Sequence, residues 1–492
     1  MFRPQQHRAC WSSLSQLVPA LFALMLLVGC SNCAGGSSTQ EPPETRLLPR
    51  IEAPLTLPAP EAPPVAQAPG PAPRDLTPLF DALRAIESGR PGATATMLFL
   101  GDSHTASDTT TGELRDLMQG RFGDGGRGFA QPGRPWRSFR QESMRYEMDE
   151  SWQVYHAMQR DPSPFPIGLS GVIVVASEAD AVLTRGTCDS CSFGARFDTL
   201  LVHALQHPAG GSFDVIVDDQ IMETISTQGL ALALDVLEFD LPDGHHVAEI
   251  RTVGDGAVVL SGIATERSAG GMIVDSLGLN GARSAHWNAL ERTLVVSEVS
   301  ARQPDLIVHG FGTNEAFGGR FRMSEALERH EGDMAAALQD VGDATLAYSE
   351  DVERLLRTLL AGAPEAGCLV MLPPDFHDSD APCLPTTGSD RATCNLEPPD
   401  ALGRVVGAQR QAADRVGCAV WDGQAAMGGP GAMSDWQRSR LGRDDGIHLT
   451  MRGYDTLAEG LYADLLRGYE VWRVSGVASL EATAIELGQE GR

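Results

Sequence analysis

Short apolar runs alternate with amphipathic segments near residue 94 and again from residue 305 onward. The first run, Thr94–Leu100, precedes a segment whose apolar residues recur at helical spacing until Gly123. The later part predicts the following elements: strand Leu306–His309, a helix bearing Val352, Leu355, Leu356 and Leu359, strand Cys368–Leu372, helix Leu402–Val416, strand Cys418–Trp421 and helix Tyr454–Tyr469. Strands that alternate with helices indicate a parallel sheet between two helical layers, so a three-layer α/β fold is predicted.

Between about residues 144 and 270 the pattern changes to short β-rich runs. These runs are Ser143–Met148, Val172–Ala176, Ser212–Val217, Leu237–Leu241, His246–Ile250 and Ala257–Ser261. Asp243-Gly244 separates two of them and is typical of a tight hairpin turn. Many short strands with turn signals predict an antiparallel β-sandwich. Because α/β elements lie on both sides of it, we predict an insertion at 143–270 within an α/β domain formed by 75–142 and 271–473.

Both ends of the chain lack the pattern of a folded core. Residues 1–29 resemble an export signal, because a weakly basic start precedes an apolar stretch too short for a comfortable membrane span. Residues 30–74 are dominated by Pro, Ala, Glu and Gly, which predicts an extended linker. Residues 474–492 offer few core positions and are predicted to form a loose tail.

The export signal ends in Leu26-Leu-Val-Gly-Cys30, which resembles a bacterial lipobox. Cys30 would then become the lipid-modified first residue of the mature chain; the alternative is an ordinary secretory signal with an incidental cysteine. Ser31, rather than Asp, follows the cysteine. The sorting rules of bacterial lipoproteins therefore predict an exported envelope lipoprotein, placed on the outer membrane and facing the periplasm where the envelope has two membranes.

Charge and cysteine content narrow the classes of partner. Asp and Glu number 65 against 38 Lys and Arg, and the net charge of −27 argues against nucleic acid as a partner, since phosphate backbones would repel it. An exported chain permits disulfides. Cys188 and Cys191 have no matching second pair for zinc and are predicted to form a local disulfide, and Cys383 and Cys394 could close a loop. Two more cysteines begin predicted strands and are interpreted as buried: Cys368 and Cys418.

A candidate nucleophile lies in Gly101-Asp-Ser-His-Thr-Ala106, between a predicted strand and a predicted helix. At such a junction, backbone N–H groups and the helix dipole favour developing negative charge near Ser103. A serine hydroxyl needs a base within hydrogen-bond reach. His448, just before the last predicted helix, is the candidate base, and Asp445 is close enough in sequence to orient its imidazole.

An oxyanion hole is predicted from three groups. They are the backbone N–H of Ser103, the backbone N–H of Gly281 in Leu277-Gly-Leu-Asn-Gly-Ala282, and the side-chain amide of Asn314 in Gly312-Thr-Asn-Glu315. Each motif alone also fits a plain structural role, such as a turn or a helix cap. Their joint occurrence at strand ends favours the catalytic interpretation. No metal or organic cofactor is predicted.

Other polar and aromatic residues near these motifs receive secondary roles. His104 is interpreted as a packing residue beside the nucleophile, and Ser276 as support for the oxyanion loop. The glycine-rich stretch Gly123–Gly128 lacks the ending of a phosphate-binding loop and is predicted to shape the pocket rim. Four aromatic residues could stack on sugar rings or fill the sandwich core: Trp136, Tyr146, Trp152 and Tyr155.

The quoted motifs resemble the SGNH/GDSL hydrolase superfamily over about 76–142 and 271–472. The Ser, Gly, Asn and His of its name match Ser103, Gly281, Asn314 and His448, whereas Glu315 stands where many members have Asp. Three segments resemble the peptidoglycan O-acetylesterase group more narrowly: Gly101–Asp108, Arg121–Phe129 and Asp275–Gly281. This resemblance implies an SGNH-type parallel sheet, an insert like a carbohydrate-binding module, and removal of acetyl groups from the muramic acid 6-hydroxyl.

The sequence therefore predicts a tethered envelope esterase that deacetylates a polysaccharide, with acetylated peptidoglycan as the leading substrate. Ser103 would attack the acetyl carbonyl, His448 would act as base and then acid, and Asp445 would orient His448. Two alternatives stay open. One is a polysaccharide O-acetyltransferase that uses the same triad, and the other is a catalytically silent lipoprotein that binds polysaccharide through its β insert.

Overall fold

The computed structural model describes residues 75–188, 191, 193–377 and 400–487. The predicted signal (1–29), the lipidation site Cys30, the linker (30–74) and the cysteines at 383 and 394 lie outside the described residues. In the part of the chain that is described, no helix combines the length and apolar character needed to cross a membrane.

The described residues form sixteen strands, twelve α-helices and one 3₁₀ turn. The strands are β1 (Thr94–Gly101), β2 (Gly126–Ala130), β3 (Arg145–Met148), β4 (Gln153–His156), β5 (Val172–Ala176), β6 (Val182–Gly186), β7 (Phe197–Gln206), β8 (Ser212–Val217), β9 (Gln220–Ser226), β10 (Ala233–Gly244), β11 (Val247–Thr252), β12 (Val258–Glu266), β13 (Gly271–Gly278), β14 (Leu306–Gly310), β15 (Gly367–Leu372) and β16 (Ala419–Asp422). The helices are α1 (Thr77–Glu87), α2 (Ser103–Ala106), α3 (Thr109–Phe122), α4 (Ser284–Asn288), α5 (Arg292–Arg302), α6 (Thr313–Phe317), α7 (Met323–Arg329), α8 (Met334–Gly362), α9 (Asp400–Val416), α10 (Gly423–Met427), α11 (Ala432–Arg438) and α12 (Met451–Ser475), with a 3₁₀ turn at Gly319–Phe321.

The α/β part is built on a parallel sheet of order β13-β1-β14-β15-β16. Its strands are almost wholly buried, as expected for a sheet covered on both faces. Helices α1, α3 and α12 pack against one another, and α5, α8 and α9 form a second packed group. The predicted three-layer α/β fold is therefore confirmed.

The register of the three central strands determines where loops meet. β1 lies between β13 and β14, and Gly101 at the end of β1 pairs with Gly278 on one side and with Gly310 on the other. The carboxyl ends of these strands therefore coincide. The loops that follow them carry the predicted nucleophile and both further oxyanion donors, which brings three distant parts of the sequence to one edge of the sheet.

Two antiparallel sheets form the predicted sandwich. One has the order β10-β7-β12-β5-β4 with β2 beside β12, and the other has the order β3-β6-β11-β8-β9. Side chains from both sheets share one buried core, which includes Val174, Leu183, Val202, Phe213, Val215, Ile250 and Leu260. Strand β2 precedes the predicted boundary at residue 143. The sandwich therefore also includes one strand from the first α/β segment.

The hairpin predicted at Asp243-Gly244 is wrong. Strand β10, before the turn, pairs with β7 in one sheet, whereas β11, after it, pairs with β6 and β8 in the other. Both strands send apolar side chains into the shared core, which favours placing them on opposite sides of it. The turn itself is fixed by Arg196 Nη2, which donates to the Asp243 carbonyl at 2.8 Å, and by Arg267 Nη2, which donates to Asp243 Oδ2 at 2.9 Å.

The structure confirms one prediction about the cysteines and differs from two others, one on the cysteines and one on the C-terminal residues. The predicted Cys188–Cys191 disulfide is present. Cys368 and Cys418, interpreted from the sequence as buried only, form a second disulfide that joins β15 to the residue before β16. The region predicted as a loose tail makes specific contacts, since Ile485 N donates to Ala426 O at 2.8 Å. Apolar side chains at 480–487 also pack against the main core.

A buried carboxylate, Asp108, joins α3 to β2 and to the chain that leads into the insert. Arg115 Nη2 donates to its Oδ1 at 3.0 Å, while Arg127 Nη2 and the backbone N–H of Glu142 donate to Oδ2 at 2.7 and 2.8 Å. Burial alone would raise the pKa of Asp108, but the charges of Arg115 and Arg127 outweigh it and lower the pKa to about 2. The carboxylate therefore stabilises the folded state.

Asp108→Asn should lower the free energy of unfolding by about 3–5 kcal/mol, because two buried guanidinium groups lose their counter-charge. Urea unfolding measures this, with the exposed Asp81→Asn as a control that should change stability by less than about 1 kcal/mol. Since folding lowers the pKa of Asp108, its stabilisation is complete above the ordinary pKa near 4 and is lost as the pH falls toward 2. Equal acid sensitivity of the Asn variant and the wild type would contradict this assignment.

Candidate active site

Ser103 is the first residue of α2, directly after the central strand β1. The Asp102 side chain caps this short helix by accepting the backbone N–H of His104 at 3.0 Å. The strand-to-helix turn therefore orients the Ser103 hydroxyl toward the edge where β13, β1 and β14 end.

The structure brings the three predicted triad residues together. Ser103 Oγ lies 3.0 Å from His448 Nε2, and His448 Nδ1 lies 2.9 Å from Asp445 Oδ2. With Nδ1 protonated toward the carboxylate, Nε2 is free to accept the Ser103 proton. This is the arrangement that activates a serine hydroxyl for attack on a carbonyl carbon.

Asp445 is held as a carboxylate by its neighbours. Burial by itself would raise its pKa, but hydrogen bonds from the backbone N–H groups of Ile447 and His448, and from the His448 ring, lower it below the ordinary value. The side chains of His448 and Asp445 are 36% and 44% exposed. The triad therefore lies at an open surface rather than inside a closed cavity.

The predicted oxyanion donors lie on the loops after β13 and β14. Gly281 has a φ of +81°, a conformation that glycine adopts without strain. The Asn314 amide lies in α6, and its Nδ2 donates to Ala282 O at 3.0 Å. This bond joins the Asn314 helix to the Gly281 loop. The oxyanion role of these groups stays a prediction.

His104, next to the nucleophile, is buried and neutral. Its Nδ1 lies 3.1 Å from Tyr454 Oη, and its ring centroid lies 5.6 Å from that of His448. Burial, reinforced by the nearby His448, lowers the pKa of His104 to about 3. The ring therefore supplies an uncharged surface beside His448, which agrees with the packing role expected for it.

Two buried carboxyl groups, which the sequence analysis did not assign, lie beneath the site. Burial and the negative charge of Glu315 raise the pKa of Asp102 to about 7, against the hydrogen bond from His104. Burial also raises the pKa of Glu315, whose Oε1 accepts the backbone N–H of Ser284 at 2.9 Å. Both are buried sequence neighbours of predicted site residues, Asp102 of Ser103 and Glu315 of Asn314.

Several secondary predictions have clear outcomes. Ser276 is buried and its Oγ lies 2.8 Å from Thr111 Oγ1 of α3, so it packs against that helix, and its support of the oxyanion loop stays a prediction. Trp152 belongs to the sandwich core, which is the structural alternative for that residue. The predicted rim role of the glycine-rich stretch is wrong for its first part, because Gly123 O accepts Met272 N at 2.8 Å near the amino end of β13, opposite the site.

The insert contacts the α/β domain beside Gly281. The Met158 methyl lies 3.3 Å from where a Gly281 Cβ would be. The turn that carries Met158 is fixed by Ala157 N, which donates to Gly171 O at 2.9 Å. Gly171 in turn leaves room for Leu279 and Trp287, each 2.9 Å from where its Cβ would be. The insert therefore forms part of the wall around the predicted oxyanion loop.

Comparison with known proteins supports an esterase fold. Residues 257–456 match the GDSL-like Lipase/Acylhydrolase family. A solved peptidoglycan O-acetylesterase shares 23% identity with a TM-score of 0.63, covering 80% of this chain and 96% of that one. No curated protein matches the chain in sequence. The resemblance to SGNH/GDSL hydrolases, and the parallel sheet with added antiparallel sheets, are thereby confirmed.

Two further solved structures are more distant. A family two carbohydrate esterase from Cellvibrio japonicus has 13% identity and a TM-score of 0.23, covering 67% of this chain and 99% of that one. A salicylyl-acyltransferase from a tetracycline biosynthetic pathway has 14% identity and a TM-score of 0.25, covering 69% and 100%. Their superpositions are too poor to support an argument about this chain.

Proposed function

We propose that this chain, whose residues 257–456 match a GDSL-type acylhydrolase family, is a serine esterase that removes O-acetyl groups from an envelope polysaccharide. The observation that carries the proposal is the continuous hydrogen-bonded series Ser103–His448–Asp445 at the ends of the central strands. Within the described residues, no group of His, Cys, Asp or Glu side chains is arranged to hold a metal ion.

The proposed reaction is a two-step acyl transfer. Ser103 Oγ bonds to the acetyl carbonyl carbon while its proton passes to His448 Nε2. The oxyanion that forms is stabilised by the N–H groups of Ser103 and Gly281 and by the Asn314 amide, each such donor contributing about 2.7–4 kcal/mol to the transition state. His448 then protonates the departing sugar oxygen, which leaves an acetyl–Ser103 ester. Water, deprotonated by His448, releases acetate and restores Ser103.

The openness of the site favours a polymeric substrate. Because the side chains of His448 and Asp445 are about two-fifths exposed, an acetyl group projecting from a chain of sugars can approach them without the chain entering a tunnel. The likeness to a peptidoglycan O-acetylesterase supports acetylated peptidoglycan as the first substrate to test. The deciding measurement is acetate release from acetylated peptidoglycan, compared with acetylated xylan and with peptidoglycan deacetylated by alkali.

The same triad also fits a polysaccharide O-acetyltransferase, since the acetyl–Ser103 ester can react with a sugar hydroxyl instead of water. Incubation with p-nitrophenyl acetate and an unacetylated glycan separates the two functions. Free acetate supports the esterase, whereas acetyl groups retained on the glycan support the transferase. If neither free acetate nor acetylated glycan formed, that result would support the catalytically silent lipoprotein that binds polysaccharide.

The insert is proposed to limit the size of the acyl group through Met158. Met158→Ala should remove the methyl group beside Gly281 and raise the ratio of p-nitrophenyl butyrate to p-nitrophenyl acetate hydrolysis about 10-fold, the lower end of the effect of one methylene in an apolar pocket. Met144 lies at another position in the insert, so Met144→Ala is the control. An unchanged ratio in an active Met158→Ala enzyme would contradict this role.

We also propose that Cys30 carries a lipid that attaches the enzyme to the envelope membrane, most simply the outer membrane facing the periplasm. Support comes from the lipobox-like sequence and the Pro- and Ala-rich residues that follow it. Cys30→Ser should move the protein from the membrane fraction to the soluble fraction and abolish incorporation of labelled fatty acid. Membrane pelleting of this variant, with no label on the wild type, would refute the anchor.

A further inference from the structure

The loop that carries the acid–base pair is closed by its own backbone. Arg443 N donates to His448 O at 2.8 Å, and Gly446 N donates to Arg443 O at 3.1 Å. Asp445 Oδ1 accepts the N–H groups of Ile447 and His448 at 2.9 and 2.8 Å. Residues 443–448 thus form a compact unit, and its placement against Ser103 depends on what holds the unit from outside.

His377, shortly after β15, contacts this unit directly. Its backbone N–H donates to Gly446 O at 3.0 Å. Its buried ring lies so close to Gly446 that a Cβ there would overlap Cε1 and come within 2.5 Å of Nδ1. Gly446 also has a φ of +70°, which side-chain-bearing residues rarely adopt. The loop and the ring therefore fit together only because residue 446 is glycine.

The ring of His377 extends the contact to helix α11. His377 Nε2 lies 2.9 Å from Gln437 Oε1, and because that oxygen only accepts, Nε2 carries the proton. The Gln437 amide donates to Arg443 O at 2.7 Å. His377 and Gln437 together therefore bind two carbonyl groups of the loop, one on each side of Asp445.

We propose that His377, acting with Gln437, is a positioning residue that holds the 443–448 loop so that His448 faces Ser103. This inference rests on the proposed esterase function. The 3.0 Å contact between Ser103 Oγ and His448 Nε2 joins residues 345 positions apart, so it depends on how the 443–448 loop is held. Displacement of reacting groups by about 1 Å costs about 10²-fold in rate. Loss of the contacts that His377 and Gln437 make should therefore lower kcat and leave substrate binding almost unchanged.

The test compares four variants in the full chain with p-nitrophenyl acetate. His377→Leu and Gln437→Leu remove the hydrogen bond between the two side chains, while His377→Gln keeps an N–H donor near the position of Nε2. Arg438→Gln, on the exposed side of α11, is the control for changes in that helix. We expect kcat to fall about 10- to 100-fold in both Leu variants, with KM within about twofold, and to recover at least partly in His377→Gln.

Two further measurements distinguish a loss of folding from a loss of loop positioning. Circular dichroism at the assay temperature checks that each variant is folded, and the half-buried Gln437→Leu decides the question if His377→Leu does not fold. The double Leu variant should lose no more than the larger single loss, because both residues act on one loop. Unchanged kcat in the folded Leu variants, or a loss in His377→Gln as large as in His377→Leu, would overturn the positioning role. An inactive wild type would instead refute the proposed esterase function.

Discussion

Ser103→Ala is expected to reduce ester hydrolysis on the order of 10⁶-fold in kcat, the scale reached when a serine triad loses its nucleophile. The hydroxyl contacts His448 and lies at a partly exposed helix start, so its removal should leave the fold intact. The measurement is kcat for p-nitrophenyl acetate with purified protein, beside a melting curve. Ser107→Ala, at the other end of the same short helix, is the matched control and should retain activity.

Covalent labelling provides independent evidence about the nucleophile. A fluorophosphonate reacts with a serine whose hydroxyl is activated by a neighbouring base, so the label should map to Ser103 in the wild type and disappear in the alanine variant. Label on Ser276, or substantial activity in Ser103→Ala, would show that the proposed mechanism is wrong. Loss of activity together with loss of the folded signal would point to instability rather than to chemistry.

Asp445→Asn is expected to lower kcat about 10⁴-fold while changing KM little. The amide cannot stabilise the imidazolium that forms when His448 takes the Ser103 proton, and it favours the wrong tautomer of the ring. Asp444→Asn is the matched control, because Asp444 has the same charge and immediately precedes Asp445. The contact with His448 Nδ1, at 2.9 Å, is made by Asp445. The comparison therefore isolates the orienting carboxylate from the general negative charge of the loop.

The lowered pKa of Asp445 predicts how activity should change as the pH falls. The pKa of Asp445 is lowered, so in a pH profile of kcat/KM its protonation should remove activity only below the ordinary pKa of an aspartate. Similar rate losses in Asp444→Asn and Asp445→Asn would show that Asp445 has no specific orienting role.

The insert contributes to the site rather than only adjoining it. Trp287 Nε1 donates to Leu169 O at 2.9 Å, and Arg302 binds Asp275 of β13 and Glu266 of β12. The Trp287–Leu169 and Arg302–Glu266 bonds join the α/β domain to the insert. They support the insert as a wall of the site, while its affinity for polysaccharide stays a prediction that binding measurements on the whole protein can test.

The sequence alone determined the local elements and the local chemistry. Strand Thr94–Leu100 and the helix end at Gly123 were predicted within one or two residues, because a short continuous apolar run and a glycine after helical spacing mark these boundaries locally. Asp445 and His448 are three residues apart, so their contact follows from one tight loop. The Gly-Asp-Ser motif likewise predicted a strand-to-helix turn, since each feature depends on interactions within a few residues.

Only the tertiary structure decided which distant segments meet. Ser103 and His448 are 345 positions apart, and only the fold shows that the predicted base reaches the predicted nucleophile, at 3.0 Å. The sequence missed the assignment of β10 and β11 to different sheets, as well as the contact of His377 with Gly446, because an apolar pattern identifies a buried face but not its partner. Partner choice is determined by how all the faces fill one core together, which no local spacing encodes.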